Sequence, residues 1–176
     1  MLLHYDELNS PVGRILFASD GERLCALDYE GYEERMARLV AHHFGRVEFQ
    51  KASDPMGLKC VLEKYFAGDL HVLDAVAVRT HGSAFQEAVW RALRTIPPGE
   101  TRSYGKVAAR IHHPDAPRAV GHANSLNPIA IIVPCHRVTG ASGSLTGYAG
   151  GLQRKHWLLR HEGALSGDFL SKQTAA

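Results

Sequence analysis

The stretch that most limits what this chain can fold into is Ile131-Ile132-Val133-Pro134-Cys135-His136-Arg137-Val138. Three β-branched residues in a row predict a short, fully buried strand. Pro134, which cannot donate to a sheet ladder, ends it. A cysteine follows where the chain leaves the core, with a histidine directly after it. Such an arrangement aims a thiol into a cleft from a rigid support and sets a base beside it. A thiol is a strong nucleophile only as thiolate, and free cysteine has a pKa of roughly 8.5. A neighbouring imidazole can take the proton or stabilise the anion. An isolated Cys-His pair is better explained by a buried core cysteine that precedes a surface histidine, so the surroundings decide.

A length of 176 residues allows one domain, or two small ones sharing an interface. With 45% hydrophobic residues there is material for a packed core. No apolar run reaches the roughly 18 residues of a membrane span, so no membrane partner is expected. Met1–Glu7 lacks the apolar region of a signal peptide. Cys25, Cys60 and Cys135 are widely spaced and odd in number, which argues against a disulfide framework or a four-cysteine zinc site. A reduced, cytoplasmic protein is expected. Between Arg102 and Arg160 there are eight Lys/Arg and one acidic residue, Asp115, so this part carries about +7 and the rest about −5. A basic half on a nearly neutral chain suggests a face for a polyanion.

Residues 2–29 read as an antiparallel meander, Leu2–Leu8, Arg14–Ser19 and Arg23–Tyr29, with turn signals at Asn9-Ser10-Pro11 and Asp20-Gly21. Tyr32–Phe44 and Asp54–Phe66 have helical spacing, the second stopped by Gly68, and Val72–Val78 is expected to be a further strand. Cys25 and Cys60 are expected to pack inside. Ser83 opens the next helix as an N-cap, with Gln86 in capping-box spacing; Phe85, Val89, Leu93 and Ile96 line its core face, and Pro97-Pro98-Gly99 ends it. Tyr104–Ile111 and Ala116–Leu126 are short helices around the break His112-His113-Pro114-Asp115, with the outline of a helix-turn-helix. Leu152–Glu162 is the last helix. The fold class is therefore an α/β N-terminal unit with a small antiparallel sheet, residues 1–82, and a mainly helical C-terminal domain with a helix-turn-helix, residues 83–165. A poorly ordered tail, 166–176, follows. No phosphate loop or dinucleotide fingerprint is present. The pairs His42-His43 and His112-His113 lack the i, i+4 spacing of helical metal ligands and are expected to be solvated.

Read outward from Cys135, the motifs are Arg118-Ala119-Val120-Gly121, Ala123-Asn124, Asn127-Pro128, Pro134-Cys135-His136-Arg137-Val138 and Gly147-Tyr148-Ala149-Gly150-Gly151. This region resembles the active site of the O6-alkylguanine-DNA alkyltransferases, also called methylated-DNA–protein-cysteine methyltransferases. The resemblance runs from about Phe85 to Gly163. Tyr65-Phe66-Ala67-Gly68 resembles the bacterial stand-alone members more loosely.

The resemblance implies single-use, direct-reversal DNA repair. The sulfur of Cys135 attacks the alkyl carbon on O6 of guanine, and the base leaves. His136 would deprotonate Cys135 through a water, and Glu162 would orient His136. Asn127 would tie the recognition helix to the active-site strand. Tyr104 would donate to the flipped base, and Arg118 would fill the gap left in the stack. The carbonyls of Cys135 and Val138 would accept from the exocyclic amine of guanine. The N–H of Ala149, after Tyr148, would approach O6. Ala149 stands where many relatives have serine, so a backbone contact survives there and a hydroxyl contact does not. His122 is bulkier than the small residue often found at its place.

No cofactor is implied; some relatives hold a structural zinc, whose ligands are not matched here. The expected partner is double-stranded DNA containing O6-alkylguanine, met by a monomer. Rival classes fit less well. A lesion sensor of this kind lacks the acceptor cysteine. A helix-turn-helix regulator needs no Cys-His pair. A cysteine hydrolase usually takes its histidine from a distant segment.

Overall fold

The first three strands form because short β-rich runs are separated by residues that turn the chain. β1 (Leu2–Ser10) pairs antiparallel with β2 (Gly13–Ser19), which pairs antiparallel with β3 (Leu24–Tyr29). Ser10 pairs directly with Gly13, so the connection is the two residues Pro11 and Val12. Gly13 closes it at φ +96°, a region that favours glycine. The structure, a computed structural model, describes residues 1–166. Apart from Ser166, the expected tail lies outside the described residues.

The sheet is mixed rather than antiparallel. β4 (Glu48–Lys51) adds parallel to β1, giving the order β3-β2-β1-β4. All four of its residues are exposed, so no apolar alternation marks it in the sequence. α1 (Glu33–Phe44) packs Met36 and Val40 on one sheet face against Leu3, Ala18, Cys25 and Ala26. The other face, with Ile15, Phe17, Leu27 and Tyr29, joins the main core. That core takes Leu62 and Tyr65 from α2 (Leu58–Phe66), Val89 and Leu93 from α3 (Ala84–Leu93), and Leu158 from α6 (Leu152–His161).

Three local expectations change. Val72–Val78 is not a strand: residues 72–75 form a 3-10 turn, and only the end of the segment reaches the sheet, where Leu24 N–H donates to Ala77 O (2.9 Å) and Arg79 N–H to Leu24 O (2.8 Å). Cys60 is exposed, because Leu58, Leu62 and Tyr65 define the buried face of α2 and Cys60 lies off it. His43 is buried, unlike a solvated histidine. It follows Leu39 and Val40 on the apolar face of α1, donates from Nδ1 to His81 O (2.9 Å) and meets the Trp90 ring edge-on.

The C-terminal half is mainly helical. Ser83 and Gln86 make the expected capping box at the start of α3, which ends at Leu93, before the prolines. Trp90 is core, and its Nε1–H donates to Ala123 O (3.0 Å), tying α3 to α5 (Pro117–Ser125). α4 (Tyr104–Arg110) packs against α5. β5 (Arg102–Ser103) pairs parallel with β6 (Val138–Thr139).

Asp6 anchors β1 to the segment before α2. Its Oδ2 accepts from Asp54 N–H (2.9 Å) and Lys59 Nζ (2.6 Å), and its Oδ1 from Glu7 N–H (2.9 Å). Burial opposes its charge, but the Asp54 N–H and Lys59 outweigh burial and bring the carboxyl from 3.8 down to about 2. Because the folded value is the lower one, this contribution is complete above about 3.8 and is lost as pH falls towards 2. Asp6→Asn is expected to cost about 1–2 kcal/mol at neutral pH, after allowance for solvent screening by the half-exposed Lys59. Urea unfolding followed down to acid pH should show a shallower loss of stability in the variant; parallel curves would contradict this.

Candidate active site

The centre of the molecule is thirteen consecutive buried residues, Asn127 to Thr139, of which the first eight, to Pro134, belong to no helix or strand. Every buried N–H and C=O needs a partner, and the partners come from far away. Leu27 N–H donates to Pro128 O (2.9 Å), and Ala130 N–H donates to Leu27 O (2.9 Å), so the segment lies along the free edge of β3. Val133 N–H donates to Ile129 O (3.0 Å), and Ile132 N–H to Ala130 O (2.7 Å). Ile131-Ile132-Val133 is therefore a buried turn, not a strand. Ile131 has φ +68°, an outlier for a β-branched residue that costs on the order of 1–3 kcal/mol. The apolar run marks burial; it does not mark a ladder.

Cys135, His136 and Arg137 form a single 3-10 turn. Cys135 lines a cavity of about 250 Å³ with Tyr104, Gly121, Asn124, Ser125, Gly147, Tyr148 and Ala149. Asn127 is buried behind it. Its Nδ2 donates to Cys135 Sγ (3.2 Å) and to Val133 O (2.8 Å), and its Oδ1 accepts from Ile129 N–H (3.0 Å). Burial pushes the Cys135 thiol above its ordinary value, against the Asn127 N–H and the charges of Lys155 and Arg35, which favour the thiolate.

His136 and Glu162 are both buried, with His136 Nε2 2.9 Å from Glu162 Oε1. Arg137 donates from Nε to Oε2 (2.9 Å) and from Nη2 to Oε1 (2.9 Å), and from Nη1 to Ile96 O (2.5 Å). Burial alone would raise the Glu162 carboxyl. The charge and hydrogen bond of His136, then those of Arg137, hold it well below the usual carboxylate range. Burial lowers His136 against the pull of Glu162. With Glu162 ionised, Nε2 carries the imidazole hydrogen, which leaves a lone pair on Nδ1. Nδ1 is buried and makes no hydrogen bond among the described residues.

Of the expected site residues, Cys135, Tyr104, Tyr148 and Ala149 line one cavity, and Asn127, His136 and Glu162 are buried around the nucleophile. The Tyr104 hydroxyl lies 3.4 Å from Thr146 O. Arg118 is exposed on α5, one turn before Gly121 on the same helix face. Val138 is fully buried in β6, and its carbonyl accepts from Lys155 Nζ (2.5 Å). The Cys135 carbonyl accepts from Val138 N–H.

Several groups around the site escaped the sequence reading. Lys155 is completely buried; besides Val138 O it reaches Thr146 O (2.9 Å) and Gly147 O (3.3 Å), fixing the cavity loop. Its burial lowers its pKa to about 8, against the pull of Cys135. A lysine three and four residues before Leu158 and Leu159, on the apolar face of a helix, was the available signal. Arg35 donates to Asp28 (2.5 Å), Ser125 O (2.8 Å) and Asn127 O (3.3 Å). The hydroxyls of Tyr29 and Tyr148 are 2.7 Å apart, and Tyr65 donates to Glu162 Oε1 (2.7 Å). These come from the N-terminal half, where no local pattern points to the site.

Comparison with known proteins shows the family. Residues 84–164 match the family profile "6-O-methylguanine DNA methyltransferase, DNA binding domain", and residues 3–80 match the "ribonuclease-like domain" of the same family. Methylated-DNA–protein-cysteine methyltransferases of Salmonella typhimurium and Methanosarcina acetivorans are 48% and 46% identical over 163 and 162 residues, covering 91% and 92% of this chain and 95% and 99% of theirs. The crystal structure of Mycobacterium tuberculosis OGT in complex with DNA is 43% identical, covers 92% of this chain and 93% of its own, and superposes with a TM-score of 0.76. Family profiles over both halves and relatives at 46–48% identity define the class of protein, one that takes an alkyl group from DNA onto a cysteine. The chain belongs to the 6-O-methylguanine DNA methyltransferase family.

Lys155→Met leaves the buried Val138 carbonyl without its donor and is expected to cost about 1–3 kcal/mol. Hydrogen exchange of residues 146–148 should accelerate together with a lower urea midpoint. Unchanged exchange there would remove Lys155 from its place as the tie of the cavity loop.

Proposed function

We propose that this protein repairs DNA by direct reversal, moving a methyl or other alkyl group from O6 of guanine to Cys135, once per molecule. One observation carries the assignment: Cys135 lines a cavity and its sulfur meets the Asn127 amide, while the next residue, His136, is buried and paired with Glu162. The family supplies the substrate class. Relatives at 46–48% identity carry the name methylated-DNA–protein-cysteine methyltransferase, and the matched OGT structure holds DNA.

In this reading the Cys135 proton passes to His136 Nδ1 through a water, and Glu162 stabilises the imidazolium. A carbon–sulfur bond forms as the carbon–O6 bond breaks. The electron pair of the broken bond stays on guanine, which is protonated as it leaves, with the Tyr104 hydroxyl donating to the ring as negative charge develops. Asn127 stabilises the thiolate by its N–H. The N–H of Ala149 and the cavity wall of Tyr148 hold the base. For Val138 to accept from the guanine amine, its carbonyl must use the lone pair that Lys155 leaves open.

The helices α4 and α5 are read as a helix-turn-helix, with α5 entering a groove and Arg118 filling the stack vacated by the extruded nucleotide. Extrusion costs a few kcal/mol, less for a damaged pair, and the basic half offsets it by sequence-independent phosphate binding. We divide the chain at 82/83, where the irregular segment before the Ser83 cap joins the two halves. We assign the protein to the cytoplasm as a monomer. Its three cysteines are free, and among the described residues no helix is long and apolar enough to cross a membrane.

Intact mass after incubation with duplex DNA containing O6-methylguanine should rise by one methyl, mapped to Cys135, and the yield should plateau at one per protein. Cys135→Ser should give no transfer while keeping duplex affinity. Multiple turnovers, or transfer by the serine variant, would overturn the reading. Arg118→Ala should slow repair of duplex more than reaction with free O6-benzylguanine, since the free base needs no extrusion. Equal losses on both substrates would move Arg118 out of the groove.

A further inference from the structure

We propose that Tyr65 is a positioning residue for the transfer reaction, by which the N-terminal half sets the basicity of the Glu162–His136 pair. This rests on the reading of Cys135 as alkyl acceptor. Tyr65 belongs to α2, is fully buried, and donates its hydroxyl hydrogen to Glu162 Oε1 at 2.7 Å. That oxygen also faces His136 Nε2 and Arg137 Nη2, each at 2.9 Å. Three donors therefore share one carboxylate oxygen, whereas Oε2 accepts from Arg137 Nε. Each hydrogen bond to a charged carboxylate lowers its basicity. The Tyr65 hydroxyl thus draws charge away from the oxygen that would stabilise a protonated His136.

The phenol is held firmly. The His161 ring packs edge-on against it at 5.1 Å, and His161 Nε2 donates to Tyr65 O (2.8 Å). Phe66 meets the same ring at 5.1 Å. Burial, then the charge and the hydrogen bond of Glu162, push the phenol above its ordinary value, so Tyr65 stays a donor throughout the neutral range. Among the described residues, the other charged or titratable groups that face Tyr65 and the pair include Arg137 from the same turn, Lys155 and His161 from α6, and Tyr29 from β3, with Cys135 next in the chain to His136. Arg137 is a fixed cation, so Tyr65 is the donor that can be removed without removing a charge.

The test follows the pH dependence of two rates: methyl transfer from O6-methylguanine duplex and alkylation of Cys135 by iodoacetamide, in the full-length protein. Removing the hydroxyl in Tyr65→Phe makes Glu162 more basic and stabilises imidazolium. The acid limb, where His136 gains its proton, should move up by about 0.5–1 pH unit. Site-specific 3-fluorotyrosine at position 65 keeps the ring, and therefore the fold, and donates more strongly, so the limb should move down. Opposite displacements support the proposal. An unmoved limb in the fluorotyrosine protein overturns it, as does a downward move in Tyr65→Phe, even if stability or rate falls. If the wild-type protein takes no methyl from DNA, the repair assignment fails separately, and the iodoacetamide profile still decides the role of Tyr65.

Discussion

The constraint behind the whole arrangement is the burial of the backbone from Asn127 to Thr139, irregular as far as Pro134. A helix satisfies its own polar groups by repetition, and a strand satisfies them along a neighbour's ladder. This stretch cannot, and an unpaired buried N–H or C=O costs about 1–3 kcal/mol. Its partners are consequently spread over the molecule: Leu27 on the edge of β3, the Asn127 amide, the guanidinium of Arg35 and the ammonium of Lys155. The N-terminal sheet is thus part of the site's frame, although none of its residues lines the cavity around Cys135.

Long charged side chains do here what backbone ladders do elsewhere. Lys155 gathers three carbonyls from β6 and the cavity loop. Arg137 joins Glu162 to the carbonyl of Ile96. Buried charges are expensive to desolvate, and such pairs add little net stability over apolar packing. What they provide is direction: guanidinium and carboxylate meet only in a restricted geometry. Glu162, at the end of α6, is thereby fixed in orientation before any substrate arrives, and so is the imidazole that leans on it.

The sequence made the local features legible. The Ser83–Gln86 capping box, the spacing of α1 and the sheltered position of Cys25 all follow from neighbours in the chain. What failed depends on distant partners. Ile131–Val133 has the composition of a buried strand, yet pairing with the edge of β3 stops at Ile129 and the chain turns away at Ile131, φ +68°. Exposed Glu48–Lys51 is a strand because β1 offers it an edge. His43 is buried because Trp90, from another helix, covers it. The nucleophile and its nearest partners could be named from the motif, whereas Arg35, Tyr29 and Tyr65 come from the other half of the chain.

The turn that follows Pro134 also has a chemical reason. In a 3-10 turn successive side chains point about 120° apart. Cys135, His136 and Arg137 can then serve different ends at once: the thiol lines the cavity, the imidazole meets Glu162 from one side, and the guanidinium meets it from another while reaching Ile96. A β-strand would turn Cys135 and Arg137 to the same face, because its period is two. The arginine would then have to enter the cavity, or the thiol would have to leave it. A tight turn at Cys135 is the local geometry that keeps a thiol on the cavity wall next to a buried imidazole and a buried guanidinium, and the irregular, heavily braced stretch from Asn127 to Pro134 delivers the chain to that turn.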